Sequence, residues 1–396
     1  MISLRKNKTL FIDAEAISAL ELVKNGLLFP VMGLMNQKQS QGVLNTGLIN
    51  KQSFPFPFIL APAGKKNEEV IKSLQVNEEI TLVHNNIEFA YLTVEETFQI
   101  DSIARIKQLY GTDDLEHPGV KDTFKRLGSW AVSGEYTLIK TPKRNTIELI
   151  QNAKNDINPK HTSALFMSAN PLHRAHERLI RQALDKTDLL VIFLQKPYKE
   201  KTLSYEIRHE ALEYFIHNFL PRNRVVIVPL EHSYLFSGFN EIMIDTIVAK
   251  NHTCDRIIIG RNHPGLGMFY DQNLNKSIID KIIGIDIDIV IPGEYVYCDK
   301  CTTLVSKNSC PHGQHHHMFY NADSILELLE LGILPPAVLM RKEISAFILS
   351  KMLPNRFKNL EKLYSNTFPV QGLLKEHTEQ DFYLELMKLY QTTSLT

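Results

Sequence analysis

Three short stretches hold side chains whose types and spacing could do chemistry. The first, FMSANPLHRAH (166–176), follows an apolar run with an Asn-Pro step and two histidines three apart. Asn170 suits an N-cap and Pro171 the first helical position, where its missing N–H is no loss. A helix starting there would aim free N–H groups and a positive dipole end at an anion such as phosphate. His173 and His176 would share one face and could donate to phosphate oxygens or to a leaving group. The plainer reading is a capped helix carrying two surface histidines, but the preceding strand and the Asn-Pro step favour a phosphate-handling turn. The second stretch, GRNHPG (260–265), follows another short apolar run, so Gly260, Arg261, Asn262, His263 and Pro264 form a second candidate turn. The third is a cysteine cluster, Cys298, Cys301 and Cys310, followed by PHGQHHH. With His315 as fourth ligand it reads C-x2-C-x8-C-x4-H, a set suited to tetrahedral Zn²⁺. His312, His316 and His317 are rivals for that place, and three buried free thiols are the alternative. A closed four-ligand site would make the metal structural. Cys254, alone before a strand, reads as core.

The elements that must position these residues fall into three segments. Residues 1–160 are mixed: a helix is expected over Asp13 to Asn25, then strand-like pieces FPFPFILAP, EITLVHN and EFAYLTV without regular β–α alternation. This predicts a small α+β or barrel-like domain. From 161 to 320 short apolar runs (SALFMS, LLVIFLQ, RVVIVPL, RIIIG, IDIDIVI) alternate with amphipathic stretches, among them PLHRAHERLIRQALDK, SYEIRHEALEYFIHNF, FNEIMIDTIVAKN and KSIIDKIIG. Such alternation is the signature of a doubly wound parallel α/β sheet covered on both faces, Rossmann-like in kind. Ligands of such sheets sit where strand ends meet the following helices, the place of the two turns. The metal loop, 298–317, closes this domain. Residues 321–396 read as a small helical domain that packs or dimerises.

Composition narrows the classes further. The 396 residues carry 44 Lys and Arg against 44 Asp and Glu, so no net field draws the chain to nucleic acid or to an anionic membrane. Any anion must be held by a local site. The first residues lack the apolar core of a signal peptide, and the later apolar runs are too short to span a bilayer. Four cysteines in so long a chain are no disulfide framework, and three of them in thirteen positions is metal spacing in a reducing compartment. A cytoplasmic protein is expected.

The sequence N-P-L-H-R-A-H resembles the N-P-x-H-x-x-H core of the ATP sulfurylase (sulfate adenylyltransferase) family, in its prokaryotic zinc-containing form. NGLLFPVMGLMN (25–36), YGTDDLEHPGV (110–120), GRNHPG, the cysteine cluster and LGILPPAVLMRKEISAFIL (331–349) resemble further family segments in the same order. The resemblance implies a PUA-like N-terminal barrel, a central nucleotidylyltransferase domain and a homodimer. It also implies a reaction in which sulfate attacks the α-phosphorus of Mg²⁺-bound ATP and pyrophosphate leaves. Carried over, His173 and His176 would hold the phosphates, and Ser168 and Asn170 would stabilise the transferring group. Pro171 and Leu172 would line the nucleotide site, Gly260, Arg261, Asn262 and His263 would complete the phosphate cage, and backbone near Val296 would meet the adenine.

The chain departs from the family pattern at the acceptor. The family's Gln-x-Arg-Asn-Pro has Met167 and Ala169 in place of the residues that grip sulfate, and the family's G-R-D-H-A-G has Asn262 and Pro264. Proline has no N–H to lend. An arginine of the following helical segment is Leu326. A dianion in a dry pocket needs charge-assisted hydrogen bonds, and losing one typically costs ~2–5 kcal/mol. Lys196, Lys199 and Lys201 are candidates to compensate. Three readings stay open: sulfate on a rebuilt acceptor site, the same nucleotidyl transfer to a different small oxyanion, or a non-catalytic nucleotide-binding relative.

Overall fold

The computed structural model describes residues 7–139, 146–195, 202–230, 238–260, 279–369 and 376–390. They pack as two compact units, one within Met1–Met167, Leu189–Lys196 and Val228–Ile291, the other within Ser168–Asp188, Pro197–Ile227 and Pro292–Thr396.

The first unit begins with β1 (Lys8–Phe11), α1 (Ala14–Lys24), α2 (Gln37–Thr46), β2 (Leu48–Ile49), β3 (Gln52–Ser53), β4 (Leu60–Pro62), α3 (Lys65–Lys72), β5 (Glu79–His84), β6 (Ile87–Gln99), α4 (Ser102–Tyr110), α5 (Pro118–Arg126) and β7 (Leu127–Leu138). The expected first helix forms because Asp13 caps it, its carboxylate accepting the Ala16 N–H at 2.7 Å. Five strands form a sheet ordered β1-β5-β6-β7-β4, with β1 parallel to β5 and the other pairs antiparallel. This is the α+β arrangement that the lack of β–α alternation predicts. β6 buries Ala90, Leu92 and Val94 while Tyr91 faces outward, the period-2 pattern of a sheet with one covered face. The β6–β7 register slips between Val94 and Glu96. There Gly134 has φ +152°, and a Cβ would lie 1.9 Å from the Thr93 carbonyl oxygen, so the bulge requires glycine.

The chain continues through α6 (Thr146–Ile157), β8 (Thr162–Met167), α7 (Arg174–Leu184), β9 (Leu189–Gln195), α8 (Tyr205–Phe219), β10 (Val225–Leu230), α9 (Glu241–Asn251), β11 (Arg256–Ile258) and β12 (Asp288–Val290). The strands form a sheet ordered β10-β9-β8-β11-β12, with parallel pairing at β9–β8, β8–β11 and β11–β12. Counted within the sheet the order is 3-2-1-4-5, the doubly wound pattern the sequence predicts, with its switch point between β8 and β11. Every residue of β8, and all of β9 but its last, is buried, which is why these strands read as unbroken apolar runs. His252, at the end of α9, is fully buried. Its Nδ1 lies 2.8 Å from the Val248 carbonyl and its Nε2 2.9 Å from the Thr146 hydroxyl. Of the predicted helix KSIIDKIIG, residues 276–278 lie outside the described residues; Ile279 is helical, and the chain then turns through Asp280 and Lys281, so residues 280–284 are not the expected helix.

The second unit holds α7 and α8, a small antiparallel sheet, and the C-terminal helices. β13 (Tyr295–Cys298) is the middle strand between β14 (Thr303–Ser306) and β15 (His317–Met318). The predicted helical segment follows as Ala322–Glu330, Lys342–Met352, Leu360–Thr367 and Glu379–Tyr390. Tyr364, Phe368 and Phe382 pack their rings together, with Phe368 and Phe382 5.4 Å apart. Among the described residues no helix is long and apolar enough to cross a membrane.

Candidate functional site

The stretch that leaves β8 is a braced turn before it becomes a helix. The helix does not start at Pro171 with Asn170 as its cap, as the local pattern predicts. α7 starts at Arg174, with His173 in the N-cap position and extended backbone. The physical reason is tertiary: the Asn170 Oδ1 accepts the Leu203 N–H at 2.8 Å, so it is engaged by a residue 33 positions away rather than by its own helix. The Arg174 N–H donates to the Leu339 carbonyl at 3.0 Å, giving the new helix end a partner from a different segment.

Arg208, on α8, holds the turn in place. Its side chain is only 1 % exposed; Nη1 donates to the Ser168 carbonyl at 2.7 Å and Nε to the Leu203 carbonyl at 3.2 Å. One guanidinium thus ties together the two segments that carry Ser168 and the partner of Asn170. Between them Ala169 sits at φ +48°, a left-handed conformation that an L-residue adopts only at a cost of roughly 1–2 kcal/mol. Ala169, Asn170, Pro171, Leu172 and His173 are all buried, as is Met167 at the last position of β8.

The two histidines do come together. Their rings stack with centroids 3.7 Å apart, and the Tyr320 ring lies 5.4 Å from that of His173. The His173 N–H points at the His176 Nδ1, 3.4 Å away, which leaves the His176 proton on Nε2 and makes that atom a donor. The His173 Nδ1 is buried with no hydrogen-bond partner among the described residues. Burial, with the His176 ring as a second cause, pushes the His173 pKa well below the ordinary value. Burial alone brings His176 down to about 4. Both imidazoles are therefore neutral near pH 7, and a bound anion would draw their pKa values back up.

Beneath the turn, Glu177 is a buried carboxylate shared by two arginines. It accepts from Arg174 Nη1 at 3.1 Å and from Arg341 Nη2 at 2.7 Å and Nε at 3.1 Å. The Arg341 guanidinium also lies 3.9 Å from the centre of the Phe219 ring. Arg208, Glu177 and Arg341 were not legible as site residues, because each acts through partners distant in sequence. The carboxylate following H-x-x-H at the start of an amphipathic helix was the one local signal available.

The remaining predicted residues are distributed as follows. Gly260 is the last residue described after β11; Arg261, Asn262, His263 and Pro264 lie outside the described residues, as do Lys196, Lys199 and Lys201. Val296 is fully buried in β13, paired with Val305 of β14. Leu326 is buried on the helix Ala322–Glu330.

The three cysteines converge as predicted, but the fourth ligand is corrected. Cys298, Cys301, Cys310 and His312 bring their ligand atoms within 4.8 Å of one another, a group that could hold a metal ion. The His312 Nδ1 lies 3.4, 3.2 and 3.6 Å from the sulfurs of Cys298, Cys301 and Cys310, and the Cys301 and Cys310 sulfurs are 3.9 Å apart. His315 is not in this group; its ring packs against His316, 4.1 Å away. His316 pairs with Asp299 at 2.8 Å instead. The short turn from Gln314 to His316 carries the histidine run past the thiols, whereas His312, two residues after Cys310, reaches back to them. Cys254 is buried, as expected, its thiol pKa pushed up to about 12 by that burial.

A doubly wound parallel sheet whose first strand releases a histidine turn at the switch point defines the class: an α/β protein of the nucleotidyltransferase kind. Residues 143–351 match the ATP-sulfurylase family model and residues 2–141 the PUA-like domain model. The chain belongs to the ATP-sulfurylase family. It is similar to the sulfate adenylyltransferase of Persephonella marina, 28 % identical over 86 % of this chain and 90 % of the relative. It is also similar to that of Staphylothermus marinus, 29 % identical over 83 % and 86 %. Among solved structures, it resembles the hexameric APS kinase from Thiobacillus denitrificans with a TM-score of 0.62 at 16 % identity. That likeness covers 89 % of this chain and 64 % of the other, and speaks to the fold alone.

Proposed function

We propose that this protein is a sulfate adenylyltransferase. A sulfate oxygen forms the new bond to the α-phosphorus of ATP, the bond from that phosphorus to the oxygen bridging to the β-phosphorus breaks, and pyrophosphate departs. Family membership supports the reaction, and the observation that carries the site is the orphaned Nδ1 of the buried His173 beside the Nε2–H of His176. Two neutral imidazoles stacked at the entry to a helix each carry one N–H and can offer a hydrogen bond to phosphate oxygens without first gaining a proton. In this reading Asn170 and Ser168, held by Leu203 and Arg208, meet the transferring phosphoryl group. Arg261 and His263 close the phosphate cage with Gly260 and Asn262. Pro171, Leu172 and the backbone at Val296 border the nucleotide. Met167, Ala169 and Pro264 border the acceptor, and Mg²⁺ arrives with the triphosphate.

The thiol cluster fits zinc. Bonds of ~2.3 Å to sulfur and ~2.0 Å to nitrogen in a regular tetrahedron need S···S edges of about 3.8 Å and S···N edges of about 3.5 Å. The 3.9 Å sulfur pair and the 3.2–3.6 Å sulfur–nitrogen separations match that size. With four protein ligands the ion has no open position, so its part is to fix the loop between β13 and β15. A division at 1–160, 161–320 and 321–396, a homodimer and a cytoplasmic setting complete the reading.

The deciding experiment is ATP formation from adenosine 5′-phosphosulfate and pyrophosphate. Wild-type protein should produce ATP, and His173→Ala should lower kcat/KM by about 10- to 150-fold, the loss of one charge-assisted hydrogen bond of ~1.5–3 kcal/mol. Nucleotide binding with no ATP formed would refute sulfate as the acceptor. Pyrophosphate release with another oxyanion would then identify the reaction.

A further inference from the structure

The N-terminal domain holds a cavity of about 110 Å³, lined by α1, the segment leading into β4, α4 and α5. A water needs ~10–15 Å³ of such space, so the cavity admits several waters or one small organic molecule. Its lining combines the apolar side chains of Phe56, Phe58 and Leu109 with the charged ones of Asp13, Glu15, Arg105 and Arg126.

The charges of that lining are unevenly matched. Arg126 is paired with both acids: Nη1 donates to Asp13 at 3.1 Å and Nη2 to Glu15. Arg105 has no acid in ion-pair contact among the described residues, although Glu15 is near enough to raise its pKa. Its Nη1 is fully buried and has no hydrogen-bond partner among the described residues, and its guanidinium lies 5.1 Å from the centre of the Phe56 ring. Burial lowers the Arg105 pKa only to about 10, so it stays charged near neutrality. Burial, opposed by Arg126 and Arg105 and aided by Asp13, lifts the Glu15 pKa to about 7. Two guanidiniums therefore face two carboxyl groups, of which Glu15 is made harder to ionise by its burial. A buried cation without its acid is costly, because its desolvation is not repaid. A planar guanidinium is satisfied best by a planar carboxylate.

We propose that this cavity is a binding site for a small organic monocarboxylate, its carboxylate on Arg105 and its apolar body against Phe56, Phe58 and Leu109. The one guanidinium nitrogen left without a partner, Arg105 Nη1, matches a monoanion better than an inorganic dianion. The apolar part of the lining favours a ligand with a hydrocarbon body, as ligand pockets generally combine apolar lining with a few placed polar groups. The site is separate from the reading of the histidine turn, and its test does not depend on adenylyl transfer.

Isothermal titration of the full chain with benzoate and butyrate is the test, with benzamide as the neutral match and inorganic phosphate as the alternative anion. At least one carboxylate should bind at a single saturable site, and benzamide and phosphate at least tenfold more weakly. Arg105→Gln should weaken carboxylate binding at least tenfold with an unchanged circular dichroism spectrum, and Arg105→Lys should recover part of it. Ala19→Leu, which fills the cavity without touching a charge, should also abolish binding and decides the matter if Arg105→Gln does not fold. Absence of saturable binding by both carboxylates, equal binding of benzamide, tighter binding of phosphate, or wild-type affinity in folded Arg105→Gln or Ala19→Leu would each overturn the proposal.

Discussion

Replacing Arg208 by methionine tests whether the histidine turn is held in shape from α8. Methionine keeps much of the buried stem and removes the donors to the Ser168 and Leu203 carbonyls. Two hydrogen bonds from a charged donor are worth ~1.5–3 kcal/mol each, a gross loss of about 3–6 kcal/mol. Part is returned, because a buried guanidinium no longer has to be desolvated. The net destabilisation should be about 2–3 kcal/mol, a drop in Tm of several degrees for a domain of this size. The larger effect falls on activity. Freed of its anchor, Ala169 can relax from φ +48°, and Ser168 and Asn170 shift with it. A displacement of about 1 Å at reacting groups costs on the order of 100-fold. The assay is pyrophosphate-dependent ATP formation, read as kcat/KM beside a thermal melt. Arg208→Lys, which keeps the charge but not the two-point geometry, should fall between. If Arg208→Met stays within threefold of wild-type kcat/KM while its Tm drops, the guanidinium stabilises the fold without shaping the turn, and the reasoning fails.

Two further outcomes follow from the same geometry. His312→Ala should lose the bound metal while His315→Ala keeps it, measured as metal per chain after dialysis; the reverse result would restore His315 as the ligand. Followed by NMR, the His176 imidazole should stay neutral down to about pH 5 and that of His173 should titrate well below 6.5, and addition of pyrophosphate should raise both midpoints. A midpoint near 6.5 without ligand would show that burial does not govern them. The stability consequence has a definite sign. His173, His176 and His252 have folded pKa values below the ordinary 6.5, so the stability they contribute is present above that value and lost as pH falls below it, for His176 and His252 down to about 4. For His252 the loss is about 2 kcal/mol at pH 5. Glu15 and Glu241, with raised pKa values, work in the opposite sense, so a His252→Gln chain should show the shallower fall in stability between pH 6.5 and 5.

What the sequence by itself determined was local or periodic. The unbroken apolar runs of β8 and β9 require a sheet buried on both faces, and their alternation with amphipathic stretches requires parallel crossovers. Cys298, Cys301 and Cys310 announced a metal loop because thiols at that spacing have few other uses. The order of family segments along the chain carried the ancestry. Tertiary structure decided whatever depends on which distant group reaches a local one. The Asn-Pro signal predicted a helix cap, yet the Leu203 N–H claimed that side chain and the helix began at Arg174. Four histidines within six positions could each have completed the thiol cluster, and only the path of the loop brought His312 to it. Arg208 reads in sequence as one more charge on a helix. It becomes the brace of the turn because the fold buries it between two carbonyls, where a donor must be spent. Spacing encodes what lies within a turn or a strand; hydrogen bonds closed across tens of residues are decided only when the chain has packed.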